Sequence, residues 1–102
     1  MSQQRFLFNT AGVYVGFIQD GHVFTPDCDW LGFIQKGNEF YSPKGVFIGF
    51  ILDDDRVVRR RDQLPKFNVF PPFKPFKPFK PFKPMRRMAK PKLPYPYEDV
   101  YA

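Results

Sequence analysis

Few side chains in this sequence can make or break bonds. His22 is the only histidine and Cys28 the only cysteine of the 102 residues. One imidazole and one thiol cannot supply a nucleophile, its base and a further orienting group. Cys28 has no second cysteine or nearby histidine at metal-ligand spacing. Asp53-Asp54-Asp55 lacks the spacing of a calcium loop and reads as a solvated hairpin tip facing Arg59-Arg60-Arg61. No catalysis, metal or cofactor is therefore expected. What the chain carries instead is binding chemistry. From Pro72 it repeats Phe-Lys-Pro, placing Phe73, Phe76, Phe79 and Phe82 three residues apart, with Lys74, Lys77, Lys80 and Lys83 in step. Arg86 and Arg87 extend the positive charge.

Proline at every third position excludes an α-helix and a central strand. It favours polyproline II, with three residues per turn and about 3.1 Å of rise per residue. Like residues then stack along one edge, giving a rod with phenylalanine, lysine and proline edges. Four readings fit such a rod. It is a disordered, solvated spacer, a binder of an anionic membrane surface, a binder of nucleic acid through phosphates and stacking, or a Pro-rich ligand for a protein partner.

Composition divides the chain in two. Residues 1–61 hold all seven glycines, with seven acids and seven bases. Residues 62–102 hold ten of the twelve prolines and the entire +6 net charge. The expected organisation is a neutral domain over 1–61 and an extended tail over 62–102. These proportions exclude a large enzyme with a deep cleft and a uniformly basic nucleic-acid domain. No apolar run approaches the roughly 20 residues that cross a bilayer as a helix. MSQQRFLFNTAG lacks the pattern of a signal peptide. The expected location is cytoplasmic, with attachment to a membrane surface also open.

The domain is repetitive. Leu7–Ile18, Val23–Ile34 and Phe40–Ile51 align without gaps, each ending in Gly-Phe-Ile, and a fourth copy begins at Val57-Val58. Ser42-Pro43-Lys44-Gly45 is a turn signal. Asn9–Gly12 and Thr25–Cys28 occupy the same place, so Cys28 stands where its counterparts have glycine and is expected to be strained. Asp20-Gly21 marks a primed hairpin turn. Strands are predicted near 5–9, 13–19, 22–25, 29–35, 39–42, 46–52 and 56–60. The glycine of each Gly-Phe-Ile predicts a close backbone approach.

Both faces of the long strands are apolar. Strict alternation groups Val15, Leu31 and Ile48 with Phe17, Phe33 and Phe50. It groups Tyr14, Trp30 and Phe47 with Ile18, Ile34 and Ile51 on the second face. That second face needs a cover: a second copy of the chain, the tail, or an apolar ligand. It is thus the candidate site for a homo-oligomer contact or for a small apolar or lipid ligand.

Units ending in apolar-Gly-Phe-Ile, spaced by 16 to 17 residues and joined by Asp-Gly or Ser-Pro-Lys-Gly turns, resemble the 4-fold beta flower domain over residues 5–60. The resemblance implies an all-β, shallow barrel of four hairpin petals about a pseudo-fourfold axis. It implies no established enzymatic activity. Three petals are visible: 13–19 with 22–25, 29–35 with 39–42, and 46–52 with 56–60. The fourth departs from the pattern, because strand 5–9 has no Gly-Phe-Ile partner. Pro65–Phe70 is one candidate to close it. The expected function is non-enzymatic binding, with the tail engaging an anionic membrane surface or nucleic acid. The alternative is a ligand-binding β domain with the tail as spacer.

Overall fold

The computed structural model describes residues 4–101. It contains eight strands in one sheet: β1 Arg5–Phe8, β2 Tyr14–Gln19, β3 His22–Phe24, β4 Trp30–Gln35, β5 Glu39–Tyr41, β6 Phe47–Ile51, β7 Val57–Arg60 and β8 Tyr97–Asp99. They pair antiparallel in sequence order, and there is no helix among the described residues. The sheet curls into a half-barrel. β1 returns to the far side of the sheet, where the Phe8 N–H donates to the Asp55 carbonyl (2.9 Å).

The turns show why the sequence repeats. At Asn9–Gly12, Thr25–Cys28, Ser42–Gly45 and Leu52–Asp55, the fourth residue's N–H donates to the first residue's carbonyl, at 2.9 to 3.1 Å. The fourth residue has positive φ each time: Gly12 85°, Cys28 70°, Gly45 86° and Asp55 69°. Cys28 is thus held in the left-handed region expected for it. Asn9, Thr25 and Ser42 side chains accept from the backbone four residues on, tightening the first three turns. Asp20-Gly21 and Lys36-Gly37 have positive φ at both positions, as primed two-residue turns require.

A Cβ at Gly16, Gly32 or Gly49 would overlap the carbonyl oxygen of Phe24, Tyr41 or Val58, respectively. The glycine of Gly-Phe-Ile therefore lets the next short strand press against the long one. Leu7, Val23, Phe40 and Val57 stand 16 or 17 residues apart and are all at most 2% exposed. With Ile51 they form the main core cluster.

Two expectations require correction. Strict alternation misassigned the faces. Ile18 and Ile34 pack against the main core with Val15, Leu31 and Ile48, and Ile51 belongs to it. Tyr14 and Trp30 pack instead with Phe17, Phe24 and Cys28. The cause is a register shift at Leu7/Phe8, Val23/Phe24 and Phe40/Tyr41, opposite Tyr14, Trp30 and Phe47. A bulge turns the side chains that follow it to the other face. The second correction concerns the fourth petal. Residues 65–70 form no strand. Among the strands, β1 pairs with β2 alone, and β7, already paired with β6, takes β8 on its other side, with Val58 opposite Asp99 and Arg60 opposite Tyr97. The stretch read as a free tail is anchored at both ends, as the connection between β7 and β8.

Candidate functional site

Residues 61–96 form a belt around the sheet. Near its start the Val69 N–H donates to the Gly45 carbonyl (2.9 Å). Near its end the Arg87 N–H donates to Gly12 (3.0 Å) and the Lys90 N–H to Thr10 (2.8 Å). Along its length the belt crosses the bulged aromatic positions in reverse chain order. Residues 64–66 lie beside Phe47, Lys74, Pro75 and Lys77 beside Trp30, and Lys80, Pro81 and Lys83 beside Tyr14. The cover expected for that face is thus the chain's own. It is imperfect, because the Tyr14 hydroxyl and the Trp30 Nε1 are buried without a hydrogen-bond partner. Burial pushes the Tyr14 hydroxyl pKa above its ordinary value.

The belt has one inner and one outer edge. Val69, Pro75, Pro78, Pro81, Pro84, Lys90 and Leu93 are half-buried, all in one register of three. The outer register is apolar and runs further than the Phe-Lys-Pro triplets. Leu64, Phe67, Phe70, Phe73, Phe76, Phe79, Phe82, Met85 and Met88 stand three residues apart, and all are exposed. The six phenylalanines are each at least 94% exposed. This stripe of nine was visible as a period in the sequence, but the changing residues between its members hid it outside 73–82.

The cationic candidates divide into two groups. Among the described residues, Lys74, Lys77 and Lys83 form no ion pair, and Lys80 meets Asp27 at 3.1 Å where both side chains are largely exposed. Arg86 donates to the Ala11 carbonyl (3.2 Å). Arg87 is committed to closure of the belt. Its guanidinium lies 4.1 Å from the Phe8 ring centre and 2.8 Å from Asp55, and Asp55 also holds Arg5 at 2.6 Å. Lysines therefore flank the outer apolar edge with little local compensation.

No curated protein and no solved structure matches the chain. The family model described as 4-fold beta flower protein matches residues 1–98. That match runs through the belt to β8, beyond the 5–60 over which the repeats alone carry the resemblance. The all-β architecture, the turns that recur around the sheet and this match over nearly the whole length agree: the chain belongs to the 4-fold beta flower family.

Proposed function

We propose that this is a non-enzymatic binding protein that applies its Phe-Lys-Pro belt to an anionic lipid surface. The observation that carries this reading is the outward stripe from Leu64 to Met88. Six exposed phenylalanines present an apolar area on the order of 1,000 Å². Patches on monomeric soluble proteins seldom exceed a few hundred Å², and larger ones mark interaction sites. The occupant is chosen by charge. Lysines alternate with the phenylalanines, and each lysine near an acidic bilayer gains about 1 kcal/mol, while aromatic rings enter the headgroup boundary. Recognition of the belt as a Pro-rich ligand is disfavoured, because Pro75, Pro78, Pro81 and Pro84 face the domain. An apolar ligand on the aromatic face would first have to displace the belt.

Co-sedimentation with vesicles of phosphatidylcholine, with and without phosphatidylserine, tests the proposal, alongside single-stranded DNA. Binding to the acidic vesicles that weakens as salt rises is expected. Changing Phe73, Phe76, Phe79 and Phe82 to Ala should remove the part that survives high salt. Changing Lys74, Lys77, Lys80 and Lys83 to Gln should remove the salt-sensitive part. Binding to DNA alone would transfer the belt to nucleic acid. Binding to neither at low salt would leave it a spacer.

A further inference from the structure

Lys66 is treated differently from the other belt lysines. Its Nζ lies 2.9 Å from Glu39 Oε2, 4.5 Å from the Phe47 ring centre and 5.7 Å from that of Phe50. The Tyr41 hydroxyl donates to the other Glu39 oxygen at 2.7 Å. The Tyr41 ring stands edge-on to Phe47 at 5.5 Å, and Phe47 edge-on to Phe50 at 5.2 Å. One carboxylate and two ring faces thus converge on a single ammonium. This is the arrangement that recognises organic cations: ring quadrupoles attract the charge, and a fixed carboxylate accepts its hydrogen bond.

The sequence builds this only once. Glu39 stands in the repeat where Phe6 and His22 stand in the preceding copies. The aromatic positions therefore recur, but the acceptor occurs only here. The second observation is the tether. Lys66 lies three residues before Val69, whose N–H is fixed on Gly45. A lysine held this way fills its cage at a high effective concentration and keeps out free competitors.

We infer that Glu39, Tyr41, Phe47 and Phe50 form a binding site for a lysine-like primary alkylammonium, which the chain closes with its own Lys66. Withdrawing Lys66, by lifting the start of the belt, opens the site to a lysine side chain from outside. The inference does not depend on what the outer stripe binds.

The probe is n-butylammonium, followed by NMR of the Tyr41, Phe47 and Phe50 rings in the full chain. With Lys66→Ala, saturable shifts are expected, with affinity at least about tenfold above wild type. Adding Glu39→Gln should abolish them. Tetramethylammonium should bind more weakly, because it has no N–H for the carboxylate. Ethanolammonium, the amine of a lipid headgroup, should also bind more weakly, since it lacks the four-carbon stem. Equal binding of ethanolammonium would overturn the lysine-like assignment. A folded Lys66→Ala protein that responds to n-butylammonium no more than to sodium chloride would overturn the site itself. A second measurement needs no variant. Ring currents should move the Lys66 ε-methylene protons upfield in wild type, and finding them at the position of a free lysine would refute the cage.

Discussion

Gly45 and Gly37 separate the work of a turn from the work of the belt. Both have left-handed backbones, with φ of 86° and 87°. A Cβ on Gly37 would meet nothing within 4 Å, whereas a Cβ on Gly45 would overlap the Val69 carbonyl oxygen. Replacing either by Ala incurs the left-handed penalty, about 1 kcal/mol. Cys28 and Asp55 show that this fold accepts a side chain at the Gly45 position of the turn, with φ of 70° and 69°. Gly45→Ala has a second cost. An ordinary C···O contact is about 3.3 Å, so the belt must retreat by about 1 Å or more. Val69 then loses its backbone hydrogen bond, worth about 1 kcal/mol. The expected losses are thus about 1 kcal/mol for Gly37→Ala and about 2 for Gly45→Ala. For a chain of this size, each kcal/mol lowers the melting temperature by about 4–8 °C. Only Gly45→Ala should speed exchange of the Val69 amide and chymotryptic cleavage after Phe67. Equal melting temperatures for the two variants, with Val69 still protected in Gly45→Ala, would refute the belt as a structural element at this turn.

Three further outcomes are expected. Asp55→Asn keeps a residue tolerant of positive φ but releases both Arg5 and Arg87; these two surface pairs should cost about 1 kcal/mol together in low salt and less in high salt, read from thermal melts. Tyr14→Phe removes a buried hydroxyl without a partner, and Phe47 already occupies the equivalent place, so stability should hold or rise by up to about 1 kcal/mol; a loss larger than that would show a hidden acceptor. The hydrogen bond to Glu39 pushes the Tyr41 pKa from 10.0 to about 12, so its contribution is complete below pH 10.0 and is lost as pH rises through about 12; melts across that window should fall less steeply in Tyr41→Phe than in wild type. The same bond holds the Glu39 carboxyl below its ordinary value, so that contribution is lost only as pH falls beneath the usual carboxylate range.

The parts of this fold legible in the sequence are those enforced locally. A four-residue turn with a left-handed fourth residue favours Gly, Asn or Asp, and a tight hairpin turn favours a pair such as Asp-Gly. These marks placed the first seven strands to within about two residues. Gly-Phe-Ile was legible for the same reason, since each glycine answers to a carbonyl one strand away. What could not be read depended on contacts distant in sequence. Tyr97–Asp99 is a three-residue strand behind Pro94 and Pro96, with too few residues for any alternation to show. The faces were misread because a bulge is set by the paired strand, and composition does not announce it. The Lys66 cage joins residues 27 apart in the chain, and only the fold reveals that Glu39 has a cation to meet.

The belt also explains why its sequence repeats in threes. A strap laid over an apolar surface hides backbone N–H groups, and a hidden N–H without an acceptor is costly. Proline has no N–H, so a proline at each inward position removes the problem along 75–84. Where the belt is fastened, the inward residue must be a donor, and Val69, Arg87 and Lys90 are. Their partners are the backbone carbonyls of Gly45, in the Ser42–Gly45 turn, and of Gly12 and Thr10, both in the Asn9–Gly12 turn. Of the three turns Asn9–Gly12, Thr25–Cys28 and Ser42–Gly45, the second is the one that the belt passes without such a bond among the described residues. There Cys28 replaces glycine, and the nearby belt residues include Pro75. With proline committed inward on a threefold path, the other two registers must face sideways and outward. Placing lysine in one and phenylalanine in the other is then a freer choice, since the N–H groups of Val69, Arg87 and Lys90 that fasten the belt lie in neither register. That freedom gives the exposed stripe its weight: folding requires the prolines and the anchors, but it does not require nine large apolar side chains in water.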